Sequence, residues 1–195
     1  MQAASSTLHP GLTVWFTGLS GAGKTTISQA VAELLGMRHC KVSVLDGDDL
    51  RRTLCAGLGF SREDRDENVL RVCNAAQELT RQGAIVLVAV IAPYRSIRAE
   101  VRRRIGAYME VFVDAPLQVC MQRDPKGLYD RARSGEISCF TGISDPYESP
   151  ISAEVVCHTD AESIDESAAK VLAAILDRQS ASHSANQYVG AGAGL

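Results

Sequence analysis

Gly18-Leu19-Ser20-Gly21-Ala22-Gly23-Lys24-Thr25-Thr26 is the stretch that decides how this chain folds. It fits the phosphate-binding pattern Gly-x-x-x-x-Gly-Lys-[Ser/Thr] without a gap. The flanks fit as well. Leu12-Thr13-Val14-Trp15-Phe16-Thr17 precedes it, an apolar run that reads as a buried strand. Thr25 to Leu35 follows, with Ile27, Ala30, Val31, Leu34 and Leu35 at helical spacing. Strand, glycine loop and helix are the three parts that anion binding requires. Glycines permit a tight turn that aims several N–H groups at one anion. The helix N-terminus adds its free N–H groups and the positive end of its dipole. Gly18, Ser20, Gly21, Ala22, Gly23, Lys24, Thr25 and Thr26 would then surround the phosphates of a nucleoside triphosphate. Lys24 would reach the β- and γ-phosphates, and the Thr25 hydroxyl would hold Mg²⁺.

Outward from this loop, strand-like runs alternate with helical patterns. Val42 to Leu45 reads as a short strand ending at Asp46, and Ala84 to Ile91 as a strand covered on both faces. Met109 to Val113 and Glu154 to His158 read as two more strands. Helices are expected over about Asp64–Gln82, Ser96–Ile105, Leu117–Arg123 and Ser163–Gln179. Ser61 with Asp64 resembles a capping box for the first of these. Such alternation predicts an open α/β fold with a parallel sheet of about five strands. Asp124 to Pro150 lacks periodicity and is rich in Gly, Pro, Asp, Arg and Ser; a mobile lid over the site is expected there. One domain is expected over residues 11–179, between a flexible N-terminus (1–10) and a flexible tail (180–195) rich in Ser, Ala and Gly.

Composition narrows the function classes. A net charge of −3 gives no global field toward nucleic acid or membrane. The longest apolar run, Ala84–Ala92, is too short to cross a bilayer, and residues 1–10 lack a hydrophobic signal core, so a cytoplasmic protein is expected. The 6 cysteines are scattered without a Cys-x-x-Cys pair, as expected of reduced thiols. The 4 histidines lack zinc-ligand spacing.

Sheets of this kind bind ligands beyond the carboxyl ends of their strands. Asp46-Gly47-Asp48 follows the second strand and would lie beside the γ-phosphate. A carboxylate there can orient an attacking hydroxyl, accept its proton or hold a water on the metal; Asp48 serves equally well as a helix N-cap. Arginines crowd the next segment at Arg51, Arg52, Arg62, Arg65 and Arg71. Guanidinium groups bind phosphate or sulfate bidentately, while Arg52 and Arg71 fit a solvated helix face. Phe60 and Phe140 lie in polar loops, where a ring either packs on a satellite core or stacks on a flat ligand. The residues alone slightly favour packing for both.

Many further stretches share one order: Leu45-Asp46-Gly47-Asp48, Leu58-Gly59-Phe60-Ser61, Asp64-Arg65 with Glu67-Asn68, Ile91 to Arg95, and Val111 to Pro116. They continue with Arg123-Asp124-Pro125-Lys126-Gly127-Leu128-Tyr129, Phe140 to Ile143 and Asp145-Pro146-Tyr147-Glu148. In these the chain resembles the adenylyl-sulfate (APS) kinase family of P-loop kinases from about Gly11 to Asp177. The resemblance implies a P-loop NTPase-like three-layer α/β/α fold, a homodimer, and a role in sulfate assimilation. It implies transfer of the ATP γ-phosphoryl group, with Mg²⁺, to the 3′-hydroxyl of adenosine 5′-phosphosulfate (APS), giving 3′-phosphoadenosine 5′-phosphosulfate (PAPS) and ADP. Lys24, Asp46 and Asp48 would be catalytic, with Thr25 and Asp46 at the metal. Arg123 would join the phosphate loop on ATP, and Ile91 and Lys126 would meet APS. Arg51, Arg65 and Asn68 would grip the phosphosulfate. Phe60 and Phe140 would sandwich the adenine of APS, which reverses the packing preference.

Two residues depart from the family pattern. Asp49 stands where asparagine is usual after Asp-Gly-Asp, and Ala92 stands where many relatives carry serine. A phosphoserine intermediate is not open to this chain at that position, so direct transfer is expected. Three rivals are weaker. A GTP switch would need an Asn-Lys-x-Asp motif, which is absent. A kinase for another small acceptor would not need the phenylalanine and arginine pairs. A decayed nucleotide-binding module would not need intact Lys24, Thr25 and Asp46.

Overall fold

A computed structural model describes residues 11–190, with side chains described as far as Ala181. Five strands, β1 (Leu12–Thr17), β2 (Val42–Asp46), β3 (Ile85–Ala89), β4 (Tyr108–Asp114) and β5 (Val155–His158), form one sheet. Its order is β2-β3-β1-β4-β5 and every pairing is parallel. The helices are α1 (Lys24–Gly36), α2 (Gly47–Arg52), α3 (Arg62–Arg81), α4 (Arg95–Ile105), α5 (Leu117–Arg123), α6 (Leu128–Arg133) and α7 (Ile164–Gly190). Alternate strand residues feed two cores, as the period-2 geometry of a strand requires. Val14, Phe16, Ile85, Leu87, Met109, Val111 and Val113 pack with α1 and α7 residues such as Val31, Leu35, Val171 and Ile175. Trp15, Val86, Val88 and Tyr108 face the other way, onto Val72, Cys73, Ala76 and Val101 of α3 and α4. The expected three-layer α/β/α architecture is therefore observed.

Helix boundaries follow local chemistry. Ser61 caps α3, accepting from the Asp64 N–H at 3.1 Å as half of a capping box predicts, while its hydroxyl donates to the Asp64 carboxylate at 3.1 Å. Two short helices escaped the sequence reading, α2 and α6, because six residues give too little period to detect. Segment 124–150, where a lid is expected, is accordingly not a structureless loop. Asp124 accepts from the N–H groups of Leu128, Tyr129 and Asp130 at 2.9, 3.0 and 3.2 Å and so starts α6. Tyr129, Phe140 and Thr141 of this segment are buried.

The last helix also differs from expectation. It continues through Gly190 rather than stopping at Gln179, so the tail expected from residue 180 is helical over its first part. Residues 180–189 contain neither Gly nor Pro and include Ala and Gln, which favour helix. The expected flexible N-terminus (1–10) and residues 191–195 lie outside the described residues. Among the described residues all six cysteines are free thiols, and no helix is long and apolar enough to cross a membrane.

Candidate active site

The sheet order makes β1 the switch point, where the chain leaves first toward β3 and β2 and later toward β4 and β5. Register aligns the strand ends: Phe16 lies beside Ala89, and Ala89 beside Asp46. The residues just beyond these three therefore share one rim. A cleft of about 810 Å³ opens there. Of the residues singled out from sequence it gathers Ser20, Gly21, Gly23, Lys24, Thr25, Thr26, Asp46, Asp48, Arg51, Phe60, Arg65, Asn68, Ile91, Arg123, Lys126 and Phe140. Gly18 and Ala22 are not among its lining residues. Gly18 sits so close to β4 that a Cβ would meet the Val113 carbonyl oxygen at 2.3 Å, and Gly23 has φ 104°, a left-handed value that excludes most side chains.

Lys24 Nζ donates to the carbonyls of Gly18 at 3.0 Å and Leu19 at 2.8 Å, which holds the ammonium over its own loop. Burial lowers its pKa to about 8, helped by the nearby Lys126 and opposed by Cys120, Asp46 and Asp48. Thr25 Oγ1 donates to Asp46 Oδ2 at 2.6 Å, while Asp46 Oδ1 accepts from the Asp48 N–H at 2.9 Å. Asp46, not Asp48, is thus the N-cap of α2. That cap leaves Asp48 free to pair with Lys126 across the mouth of the cleft. Asp49 pairs with Arg52 on the exposed face and does not line the cleft.

Thr25 and Asp46 bring two hard oxygens together at the end of the phosphate loop. Among the described residues no cluster of three or more His, Cys, Asp or Glu could hold a metal alone. That donor set fits Mg²⁺, which takes one or two protein oxygens and completes its shell with phosphate and water. It does not fit a caged transition metal.

Of the two phenylalanines, Phe60 is 44% exposed and Phe140 7%, and both line the cleft. Phe140 also belongs to the core, its ring edge-on to Tyr129 at 5.0 Å. Packing and ligand contact are therefore not alternatives for this residue. The Arg51 guanidinium lies 4.5 Å from the Phe60 ring centre, with only long contacts, 3.4 and 3.5 Å, to the carbonyls of Gly59 and Leu58. Arg65 is 7% exposed and far more engaged: Nε donates to the Phe60 carbonyl at 3.0 Å, Nη1 to Thr141 Oγ1 and Nη2 to the Cys139 carbonyl. Arg52 and Arg71 serve surface pairs with Asp49 and Glu67, as the solvated-face reading expects.

Thr159 and the wall beyond β5 had no sequence signal, and the partners of Arg123, Tyr94 and Asp145 are set by the fold. Arg123 donates to the Gly21 carbonyl at 3.3 Å and to Thr159 Oγ1 at 3.1 Å, and Thr159 Oγ1 in turn donates to the Ala22 carbonyl at 2.8 Å. Thr159, Glu162, Ser163, Ile164 and Ser167 form the wall beyond β5. Tyr94 donates to both oxygens of Asp145 at 3.1 and 2.9 Å. Only the fold brings these segments to the loop.

A phosphate loop at the switch point, the strand-end carboxylate of Asp46 with Asp48 two residues on, and residues of segment 124–150 lining the same cleft define an α/β phosphoryl-transfer protein of the P-loop class. The comparisons narrow the class. The family model for adenylylsulphate kinase matches residues 10–158. An adenylyl-sulfate kinase of Picosynechococcus is 60% identical over 164 residues, spanning 84% of this chain and 93% of that protein. The Mycobacterium tuberculosis APS kinase, solved in complex with AMPPNP and APS, is 46% identical with a TM-score of 0.81, covering 85% of this chain and 98% of that one. A gluconokinase of Sinorhizobium meliloti, 21% identical with a TM-score of 0.61 over 90% of this chain and 97% of that one, shares the fold. The chain belongs to the adenylyl-sulfate kinase family.

Proposed function

We propose that this protein phosphorylates the 3′-hydroxyl of APS with ATP, releasing ADP and PAPS. The observation that carries the reading is one cleft lined both by the phosphate loop and by Phe60, Phe140, Arg51, Arg65 and Asn68. Such a cleft suits two nucleotides meeting at their reacting groups. The loop amides and Lys24 hold the β- and γ-phosphates of ATP, with Arg123 beside the donor nucleotide. Phe60 and Phe140 receive the adenine of APS, and Arg51, Arg65 and Asn68 offer donors to its phosphosulfate. Ile91 and Lys126 complete the acceptor's surroundings. Thr25 and Asp46 would hold Mg²⁺, which offsets charge on the phosphates when bound.

The chemistry is one in-line displacement. The 3′-oxygen bonds to the γ-phosphorus, the bond from that phosphorus to the ADP oxygen breaks, and the hydroxyl proton passes to one carboxylate of the Asp46 and Asp48 pair. Ala92 stands against the cleft with no hydroxyl to accept phosphate, which supports direct transfer. Segment 124–150 acts as the lid that excludes water from this step. A cytoplasmic homodimer is part of the same proposal, supported by the family resemblance and by the reduced thiols.

The test is to incubate the protein with labelled ATP, Mg²⁺ and APS and resolve the nucleotides. Label in PAPS supports the reading. Transfer to another acceptor, or binding without turnover, contradicts it. Label trapped covalently on the protein, on the path to product, contradicts direct transfer.

A further inference from the structure

We infer that Tyr147 is a positioning residue that sets the phosphate loop against the loop after β3, so that its hydroxyl acts on the rate of phosphoryl transfer and not on the binding of either nucleotide. The inference rests on the proposed activity and deepens it. The ladder between β1 and β3 ends at Phe16 and Ala89. Past that pair β1 leads into the phosphate loop and β3 into Ile91, Ala92 and Pro93, and both stretches line the cleft. Thr17 Oγ1 joins them by donating to the Ile91 carbonyl. Tyr147 Oη lies 3.0 Å from the same Thr17 oxygen. A threonine hydroxyl has one proton, and here Ile91 takes it, so the tyrosine donates and the threonine accepts. The chain Tyr147–Thr17–Ile91 thus fixes the residue before Gly18, whose carbonyl anchors the Lys24 ammonium at 3.0 Å, relative to the Ile91 wall.

Further observations support this role. Thr17 is fully buried, and neither it nor any residue of Asp145-Pro146-Tyr147-Glu148 lines the cleft, so the chain of hydroxyls acts from outside the ligand site. The tyrosine ring is held in place. It stacks on Phe112 of β4 with centres 6.1 Å apart and planes inclined by 21°, and the Arg98 guanidinium lies 5.8 Å from its centre. Its neighbours grip the same loop after β3: the Glu148 N–H donates to the Pro93 carbonyl at 2.9 Å, and Asp145 accepts from Tyr94 at 3.1 and 2.9 Å. Burial raises the Tyr147 phenol well above its ordinary pKa, so the group stays a donor at neutral pH. In-line transfer needs reacting atoms about 3–3.5 Å apart, and a misplacement of about 1 Å can cost about a hundredfold in rate. A tie between the donor loop and the facing loop is therefore felt first in the transfer step.

The test compares Tyr147→Phe, Thr17→Val, Thr17→Ser and the Tyr147→Phe, Thr17→Val double variant with wild type. Rapid quench gives the single-turnover transfer rate with ATP and APS both saturating, and calorimetry gives the affinities for AMPPNP and APS. Tyr147→Phe keeps the ring on Phe112 and removes only the hydroxyl. The expected result is a transfer rate at least about fivefold lower in Tyr147→Phe and in Thr17→Val, with both affinities falling by less than the rate does. The thermal midpoint should drop by only about 2–4 °C, the scale of one hydrogen bond. Thr17→Ser keeps the hydroxyl and should stay within about twofold of the wild-type rate. The double variant should be no more than about twofold slower than the slower single one, because both cut the same chain. A smaller loss of rate in Tyr147→Phe overturns the inference, as does a loss of affinity for either nucleotide that matches the loss of rate. Thr17→Ser as slow as Thr17→Val overturns it too, and so do losses that multiply in the double variant, for then the two hydroxyls act separately. Wild-type protein that makes no PAPS overturns the proposed activity, and with it the inference.

Discussion

Lys24 shows how one residue carries both recognition and pH response. Removing its ammonium leaves the γ-phosphate charge without its main side-chain partner, so Lys24→Ala is expected to lose at least about a thousandfold in kcat while its circular dichroism stays that of wild type. A variant with more than a tenth of the wild-type rate would contradict the assignment. Its pKa of about 8 also predicts a proton linkage. Phosphate at the loop favours the charged ammonium and raises that pKa, so above about pH 8 ATP binding must take up a proton. Calorimetry in buffers of different ionisation enthalpy should show uptake near zero at about pH 6.5, rising toward about one proton at pH 9. Uptake that is flat with pH would place the ammonium away from the phosphates. The loop residues were legible in the sequence because their pattern is contiguous. The meeting of Asp46 with Thr25 was expected from the resemblance, but its part as the cap of α2 was not, since that helix is too short to detect.

At the scale of elements, the segment over the cleft is tied at both ends. Tyr129 of α6 donates to the Ser20 carbonyl at 2.9 Å, joining its start to the phosphate loop. At its far end Glu148 accepts from the Arg95 N–H at 2.7 Å and so caps α4. Arg98 of α4 holds three things: Glu110 on β4 at 2.9 Å, the Ala92 carbonyl at 2.7 Å and the Glu148 carbonyl at 2.6 Å. Ala92 has φ 45°, a strained value next to the cleft that this arginine helps to hold. Arg98→Leu should therefore destabilise the fold by about 3–5 kcal/mol, because it strands a buried carboxylate. Adding Glu110→Leu should restore part of the loss in urea denaturation. A cost below about 1 kcal/mol for the single variant would show the pair to be unimportant. Phe140→Ala is expected to raise the KM for APS far more than that for ATP, with some loss of stability from its contact with Tyr129. Equal KM changes for both nucleotides would contradict a stacking role. The long elements were readable from periodicity, and segment 124–150 was visible only as an absence of it. Its ordered parts come from contacts between residues far apart in sequence, such as Tyr129 with Ser20, that no local pattern encodes.

For the whole molecule, one sheet divides two apolar cores and joins them through shared strands. Trp15, the only tryptophan, sits fully buried on the central strand with its Nε1–H donating to the Val90 carbonyl at 3.1 Å. Its fluorescence should report the collapse of the entire sheet. Fluorescence and far-ultraviolet circular dichroism are expected to give coincident urea transitions; separated midpoints would mean that the two layers unfold independently. The sheet order itself needs one rule beyond pattern, that crossovers in parallel sheets are right-handed, and so the fold class was legible in the sequence while the strand order was not. The order matters because it sets Phe16, Ala89 and Asp46 side by side, and the cleft follows from their ends. The central claim is that two adenine nucleotides occupy that cleft at once. A crystal structure of the protein with AMPPNP and APS tests it most directly. The account predicts triphosphate density on the amides of the loop ending at Lys24 and the APS adenine between Phe60 and Phe140. Density for APS only in the ATP position, with the space beside the two phenylalanines empty, would contradict it.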